Sequence, residues 1–267
     1  MIKKAIIPAA GFGTRSLPVT KVIPKEMFPI GDKPSIQYVV EEAISAGIEQ
    51  ILIIVSRSKN LIVDYFDYSL ELEMFLKKTN KEFLLHQLNI PDIQIVYTRQ
   101  SAAKGLGDAV RLGKHFVGND AFAVLLPDDI IVGGGLKELI DIYEKKNSHV
   151  IGLTKVEEQF LKNYGVIDGK PAAPDLYELV NIIEKPQQNA PSNLAVVGRY
   201  IFTPTIMKAL ENLEPSIGGE IQLTDAIKKV LQEDKCYGKV LSGTRYDIGS
   251  TADYLAVQNY VFNQKHE

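Results

Sequence analysis

The sequence predicts an α/β protein: a mixed, mainly parallel sheet with helices packed on both faces. Three observations predict it. Continuous apolar runs (AII at 5–7, ILIIV at 51–55, AFAVLL at 121–126) have the character of strands buried on both faces. Amphipathic segments with helical spacing lie between them. The runs end in loops carrying glycine, proline and charged residues, where an open α/β sheet places its ligand crevice.

Taken in order, residues 5–7 form the first strand and enter Gly11-Phe12-Gly13-Thr14-Arg15. Residues 35–46 form a helix with Ile36, Val39, Val40, Ala43 and Ile44 on one face, stopped by Gly47. Residues 51–55 are a strand, 61–88 an interrupted helical stretch, 93–97 a strand and 107–115 a helix. Residues 121–126 are a buried strand, 136–145 a helix and 150–154 a strand. Beyond Gly165 the alternation breaks. Residues 177–183 and 196–202 are strands with no long helix between them. A helix at 221–232, a short strand at 237–241 and a closing helix at 251–263 follow. Residues 170–175 and 187–192 are expected to be loops. No repeat or long linker divides the chain, which therefore reads as one domain over 1–267.

At 267 residues, the chain is long enough to bury roughly 70–75% of its unfolded surface. Its content is 45% hydrophobic and 24% charged, with net charge −3, so no nucleic-acid or anionic-membrane partner is indicated. Cys236 is the single cysteine, which excludes an internal disulfide. No signal-peptide pattern opens the chain, and no apolar run approaches the ~20 residues that span a bilayer. The expected location is the cytoplasm.

The opening loop carries the chemistry. Glycines let backbone N–H groups approach an anion, and Arg15 and Lys25 add a planar fork and a point charge. The P-loop pattern fails, because Ser16 and Leu17 stand where glycine and lysine are required. The dinucleotide fingerprint fails at Ser16, and Leu17-Pro18 blocks a helix directly after the glycines. What remains is a loop suited to polyphosphate. Asp128, after the run AFAVLL, suits Mg²⁺ beside a triphosphate, and equally suits a turn; Asp129 is less defined. His86, His115, His149 and His266 are scattered without ligand spacing.

Nine runs resemble the nucleotidyltransferases that make sugar nucleotides from a nucleoside triphosphate and a sugar 1-phosphate. They are GFGTRSLPVTKVIPKEMFPI, DKPSIQYVVEEAISAGI, RQSAAKGLGDAV, AVLLPDD, YGVID, EKP, APSNLAVVGRYIF, GGEIQLTDAI and RYDIG, spread from Ala5 to Gly249. EIQLTDAI and PSNLAVVGRY resemble the bacterial uridylyltransferase subgroup more specifically than the opening loop does. The resemblance implies a Rossmann-like three-layer sandwich, with a nucleotide-binding half at about 1–155 and a sugar-binding half at about 156–267. It implies that Ala10, Gly11, Gly13, Thr14, Arg15, Lys25, Gln100 and Gly105 bind the nucleotide. It places Mg²⁺ at Asp128 and Asp247, and the sugar phosphate at Gly165, Glu184 and Lys185. Arg15, Lys25, Asp128 and Lys185 form the implied catalytic set, UTP and glucose 1-phosphate the substrates, and a homodimer or homotetramer the assembly.

Read from the residues alone, Gln100 is also a polar residue before a helix, Glu184-Lys185 a surface ion pair and Asp247 a turn residue. The competing functions are a dinucleotide-dependent oxidoreductase and a non-catalytic sugar-nucleotide-binding regulator. The first is opposed by the missing third glycine, the second by the joint presence of Arg15, Lys25, Asp128 and Lys185.

Overall fold

The computed structural model describes residues 1–88 and 91–266. The first half holds β1 (Lys4–Pro8), β2 (Pro29–Ile30), β3 (Lys33–Pro34), α1 (Ser35–Ser45), β4 (Gln50–Val55), α2 (Asn60–Phe66), α3 (Leu70–Lys78), β5 (Gln94–Arg99), α4 (Leu106–Arg111), α5 (Lys114–Val117), β6 (Phe122–Leu125), β7 (Asp129–Val132), α6 (Leu136–Lys146) and β8 (His149–Lys155). The second half holds β9 (Gly165–Ala173), β10 (Leu176–Glu184), β11 (Leu194–Phe202), α7 (Thr205–Glu211), α8 (Leu223–Val230), β12 (Cys236–Val240), β13 (Thr244–Asp247) and α9 (Thr251–His266).

Nine strands form one sheet in the order β5-β4-β1-β6-β11-β8-β12-β10-β9. The pairings make β1, β4, β5, β6, β8, β9 and β12 run one way, and β10 and β11 the other. The expected mixed, mainly parallel sheet is therefore present. Alternation along β1 builds both layers. Ile6 packs with Ala109, Val110, Ile206, Leu210 and Ile227 on one face. Ala5 and Ile7 pack with Val39, Val40, Leu139 and Val257 on the other. A strand buried on both faces must be apolar at every position, which is why these runs stand out in the sequence.

Several expectations need correction. Residues 170–175 are not a loop: β9 continues to Ala173 and turns into β10 through Asp175 at φ 54°. Beyond its start β9 is an edge strand, where a proline is tolerated, and Pro171 stands opposite Tyr177 of β10 next to an irregularity in the register. The helix at 107–115 is two, α4 and α5, parted at Gly113. There a Cβ would come within 2.3 Å of Ile6 Cδ1, so the backbone lies too close to β1 for a side chain. α7 and the β7–β13 pair were not expected, being short and without an independent periodic signal.

A buried ionic cluster ties the layers together. Arg199, on β11, is fully buried. It donates to Glu42 of α1 (Nη2 to Oε2, 2.6 Å; Nε to Oε1, 3.0 Å) and to the carbonyls of Leu126 (3.1 Å) and Asp129 (2.8 Å). Glu42 also accepts the N–H of Leu136 at the start of α6 (2.9 Å). Removing one partner strands a buried charge, which costs more than the pair's net worth. Glu42→Ala should therefore lower unfolding free energy by about 3–5 kcal/mol in urea titration. A loss below about 1 kcal/mol would show that the cluster is not what joins these elements.

Candidate active site

β1 delivers the chain to the strand-end crevice, where Ala9 N–H donates to Ile54 O (2.7 Å). Gly13 sits at φ 65°, and Thr20 Oγ1 donates to its carbonyl (2.8 Å). Gly11 has open space where a Cβ would stand, leaving its backbone accessible to a ligand. Thr14–Ser16 is a single 3-10 turn and Leu17 is extended (ψ 146°), so no helix follows the glycines, as Leu17-Pro18 predicts. Lys25 starts another short turn. Beneath it Glu26 is buried against Lys59 (2.6 Å), and Glu26 O accepts from Ser35 Oγ (2.9 Å). This pair stiffens the base of the loop.

Two cations of the loop meet two carboxylates. Lys25 is paired with Asp128, just after β6. Arg15 Nη1 lies 2.9 Å from Asp247 Oδ2. The β7–β13 ladder sets Asp247 opposite Asp129, and Ile248 N–H donates to Asp128 O (3.0 Å). Asp128 and Asp247, far apart in sequence, are thus backbone neighbours. Asp129 turns the other way: its Oδ2 accepts from Gly198 N–H (2.7 Å) and its Oδ1 from Arg245 Nε (2.8 Å). It belongs to the buried frame rather than the cleft. Burial alone would lower the Lys25 ammonium, but Asp128 and Glu26 outweigh it and hold its pKa above the ordinary lysine value. Burial would likewise raise Asp128, and Lys25 overcomes this to hold it below the ordinary value.

Ala10, Gly11, Gly13, Thr14, Lys25, Gln100, Gly105 and Asp128 line one open cleft of ≈ 370 Å³. Arg15 borders a recess beside it with Gly13, Lys25 and Gly249. Gln100 is buried, and its amide nitrogen donates to Asp108 Oδ2 (2.8 Å) and Gly105 O (3.2 Å). A carboxylate partner fixes the amide's orientation, so the oxygen is the atom left to accept. Gly105 has φ 95°, and a Cβ there would fall 2.7 Å from Ile221 O and 2.8 Å from Glu220 Cβ. Glycine is therefore required by packing as well as by any ligand. Ile221 N–H donates to Lys104 O and Gly107 N–H to Ile221 O (both 2.8 Å). These bonds give the GGE segment its place: it clamps the 104–107 loop and brings Glu220 to the cleft wall.

Gly165, Glu184 and Lys185 form a second cluster outside that lining. β9–β10 register sets Glu184 opposite Gly165. Lys185 takes φ 46°, donates its N–H to Tyr164 O (2.9 Å) and holds its ammonium 3.3 Å from Glu184. Arg245 joins the two clusters. It binds Asp129, donates to Tyr164 Oη (3.1 Å) and stands 5.1 Å from the Tyr164 ring centre. His149 lies in neither: it accepts from Thr203 N–H (3.2 Å), and burial pushes its pKa down to about 4. The side chain of His266 lies outside the described residues.

The nucleotidyl transferase model matches residues 4–264. The chain belongs to the nucleotidyl transferase family. It is 58% identical to a Bacillus subtilis (strain 168) protein provisionally named a UTP–glucose-1-phosphate uridylyltransferase, over 96% of this chain and 95% of that one. It is 48% identical to a UTP–glucose-1-phosphate uridylyltransferase of the same strain, over 95% and 89%. The structure is similar to a UDP-glucose pyrophosphorylase solved with UDP-glucose, with TM-score 0.90, 41% identity and coverage of 99% and 100%.

For a nucleotidyl transferase, the oxygen-only donors at Asp128 and Asp247 suit a hard cation such as Mg²⁺, which takes one or two carboxylates with phosphate oxygens and water. Among the described residues, no group of three or more His, Cys, Asp or Glu gathers as a protein-only cage. The reading from sequence missed Glu26, Lys59, Tyr164, Glu220 and Arg245. All but Lys59 stand inside quoted runs, but no spacing rule shows what a lone polar side chain will meet after folding.

The pair at the cleft sets a pH dependence. The depressed Asp128 contributes stability above about pH 4 that is lost as pH falls through its folded value. The raised Lys25 contributes below about pH 10.4 and is lost as pH rises through its folded value. Asp128→Asn should therefore lower stability between those limits, with the deficit shrinking as wild type is acidified below pH 4. Urea unfolding across pH 3–8 reads this directly; parallel curves for both proteins would contradict it.

Proposed function

We propose that the chain transfers the uridylyl group of UTP to glucose 1-phosphate, releasing pyrophosphate and forming UDP-glucose. The observation that carries the proposal is the pairing of the loop cations Lys25 and Arg15 with Asp128 and Asp247 beside a cleft that Gln100 also lines. A cationic loop suited to triphosphate and an amide oxygen suited to a pyrimidine line one cleft with Asp128, Arg15 of that loop pairs with Asp247, and Arg245 and Tyr164 link this frame to a Glu–Lys group suited to a sugar phosphate. The names of the similar proteins and the UDP-glucose held by one of them favour this substrate pair.

Ala10, Gly11, Gly13 and Thr14 would cradle the triphosphate with backbone N–H groups. Gln100 Oε1 would accept the N3–H of uracil beside Gly105. Glu184, facing Gly165, would accept from glucose hydroxyls, and Lys185 would hold the incoming phosphate. A phosphate oxygen of glucose 1-phosphate attacks the α-phosphorus in line; the new P–O bond forms as the bond to the β-phosphate oxygen breaks. The nucleophile is already anionic, since its second pKa is about 6, so no general base is required. The task is to bring two anions together, by positioning and charge neutralisation. Arg15 would stabilise the departing pyrophosphate and Lys25 the α-phosphate. Mg²⁺ bound at Asp128 and Asp247 would supply further neutralisation of phosphate oxygens. Residues 1–155 would thus serve the nucleotide and 156–267 the sugar, with Asp247 and Glu220 crossing that division.

We further propose a cytoplasmic homo-oligomer. No described helix is long and apolar enough to cross a membrane.

Pyrophosphate release is the test, with UTP and glucose 1-phosphate against other triphosphates and sugar phosphates, in Mg²⁺ and in chelator. That pair should be preferred and chelator should abolish release. Lys25→Ala and Lys185→Ala should each lower kcat roughly 10²–10³-fold in folded protein, as removal of an electrostatic stabiliser does. Folded wild type that binds UTP but releases no pyrophosphate with any pair would point to a regulatory binder instead.

A further inference from the structure

Asp108 is a buried carboxylate to which the proposed reaction gives no task. It lies in the first turn of α4 and is 4% exposed. Each of its oxygens has a partner. Oδ2 accepts from Gln100 Nε2 (2.8 Å), and Oδ1 accepts from Arg111 Nη2 (2.5 Å). Arg111, three residues further along the same helix, neutralises the charge. Burying a carboxylate is costly even when it is paired, and far more so when it is not. Here two charged side chains stand behind one neutral amide.

That pair decides which end of the amide a ligand meets. Gln100 Nε2 lies between two acceptors, Asp108 Oδ2 and Gly105 O (3.2 Å). An ionised carboxylate and a backbone carbonyl only accept, so a reversed amide would set oxygen against oxygen twice. Gln100 Oε1 has no hydrogen-bond partner among the described residues, and Gln100 lines the cleft. At this point the cleft offers an acceptor and withholds a donor. Uracil and thymine present N3–H, a donor. Cytosine presents N3 as an acceptor. A polar group left unmatched costs more than a made bond returns, so the site selects by rejecting the mismatch.

We propose that Asp108, backed by Arg111, is the positioning residue that sets base choice: through Gln100 it admits pyrimidines with N3–H and excludes cytosine. This rests on the reading that Gln100 receives the base of the nucleotide. Asp108→Asn is nearly isosteric, and Arg111 would keep the remaining side-chain oxygen. The amide nitrogen of the variant would then face Gln100, leaving Gly105 O alone to hold the wild-type orientation. Gln100 could turn and present Nε2 to cytosine N3.

The test is calorimetric titration of UTP, CTP and thymidine triphosphate, with Mg²⁺, into wild type, Asp108→Asn, Gln100→Ala and the double variant. Wild type should bind UTP at least about tenfold more tightly than CTP. In Asp108→Asn that ratio should fall about tenfold. CTP should bind more tightly than it does to wild type, and the ratio of UTP to thymidine triphosphate should stay unchanged. A merely structural defect would weaken all three alike. In Gln100→Ala the same substitution should no longer move the UTP-to-CTP ratio, because the residue it acts through is gone. Circular dichroism checks the fold. Asp108→Ala frees the amide without supplying a donor and should lower the ratio by a smaller factor, which keeps the test decisive if Asp108→Asn does not fold. A shifted ratio in a chain that releases no pyrophosphate would support this inference and overturn uridylyl transfer. An unchanged ratio in folded variants, an equal loss for all three nucleotides, or a wild type without preference for UTP over CTP would each overturn the inference itself.

Discussion

The constraint on which the site depends is the crossed pairing of Lys25 with Asp128 and Arg15 with Asp247. Here each cation has a carboxylate until a ligand competes for it. In the proposed reaction the phosphates of UTP would take over the cations, and a metal would take over the carboxylates. Binding would then be an exchange of partners within a preorganised site rather than the assembly of a new one.

That arrangement is held from below. Asp129 faces inward to Gly198 and Arg245, while Arg199 grips the Asp129 carbonyl and Glu42. The peptide carrying Asp128 is therefore fixed by groups that never reach the cleft. Arg245 carries the same frame to Tyr164, whose carbonyl holds the left-handed turn at Lys185. A single side chain thus connects the carboxylates to the cluster proposed for the sugar phosphate. Such buried ionic groups add little net stability, but they specify position.

How much of this the sequence discloses follows from the range of each interaction. β1, β4 and β6 were legible because strands buried on both faces are apolar throughout. The polyphosphate-suited loop from Gly11 to Lys25 was legible because a strand end carries these residues in its own loop, whereas Asp128 read equally as a turn residue and Gln100 and Gly105 entered only through the family resemblance. The meeting of Asp128 and Asp247 was not, because it depends on the short β7–β13 ladder between distant segments. The split at Gly113 depends on Ile6 pressing from another strand, and β9 on a partner that overrides its proline. Asp129 shows the limit most clearly: chemically identical to its neighbour, it differs only in the direction its side chain takes.

The most direct measurement is calorimetric titration of UTP into wild type and Asp128→Asn, each with Mg²⁺ and with chelator. If the carboxylates hold the cations until ligand arrives, wild type should bind UTP markedly more tightly with Mg²⁺ than without. The variant, with Lys25 released, should bind metal-free UTP more tightly than wild type does and should lose most of the gain from Mg²⁺. Unchanged metal-free affinity together with a full Mg²⁺ gain in the variant would contradict the exchange of partners at this site.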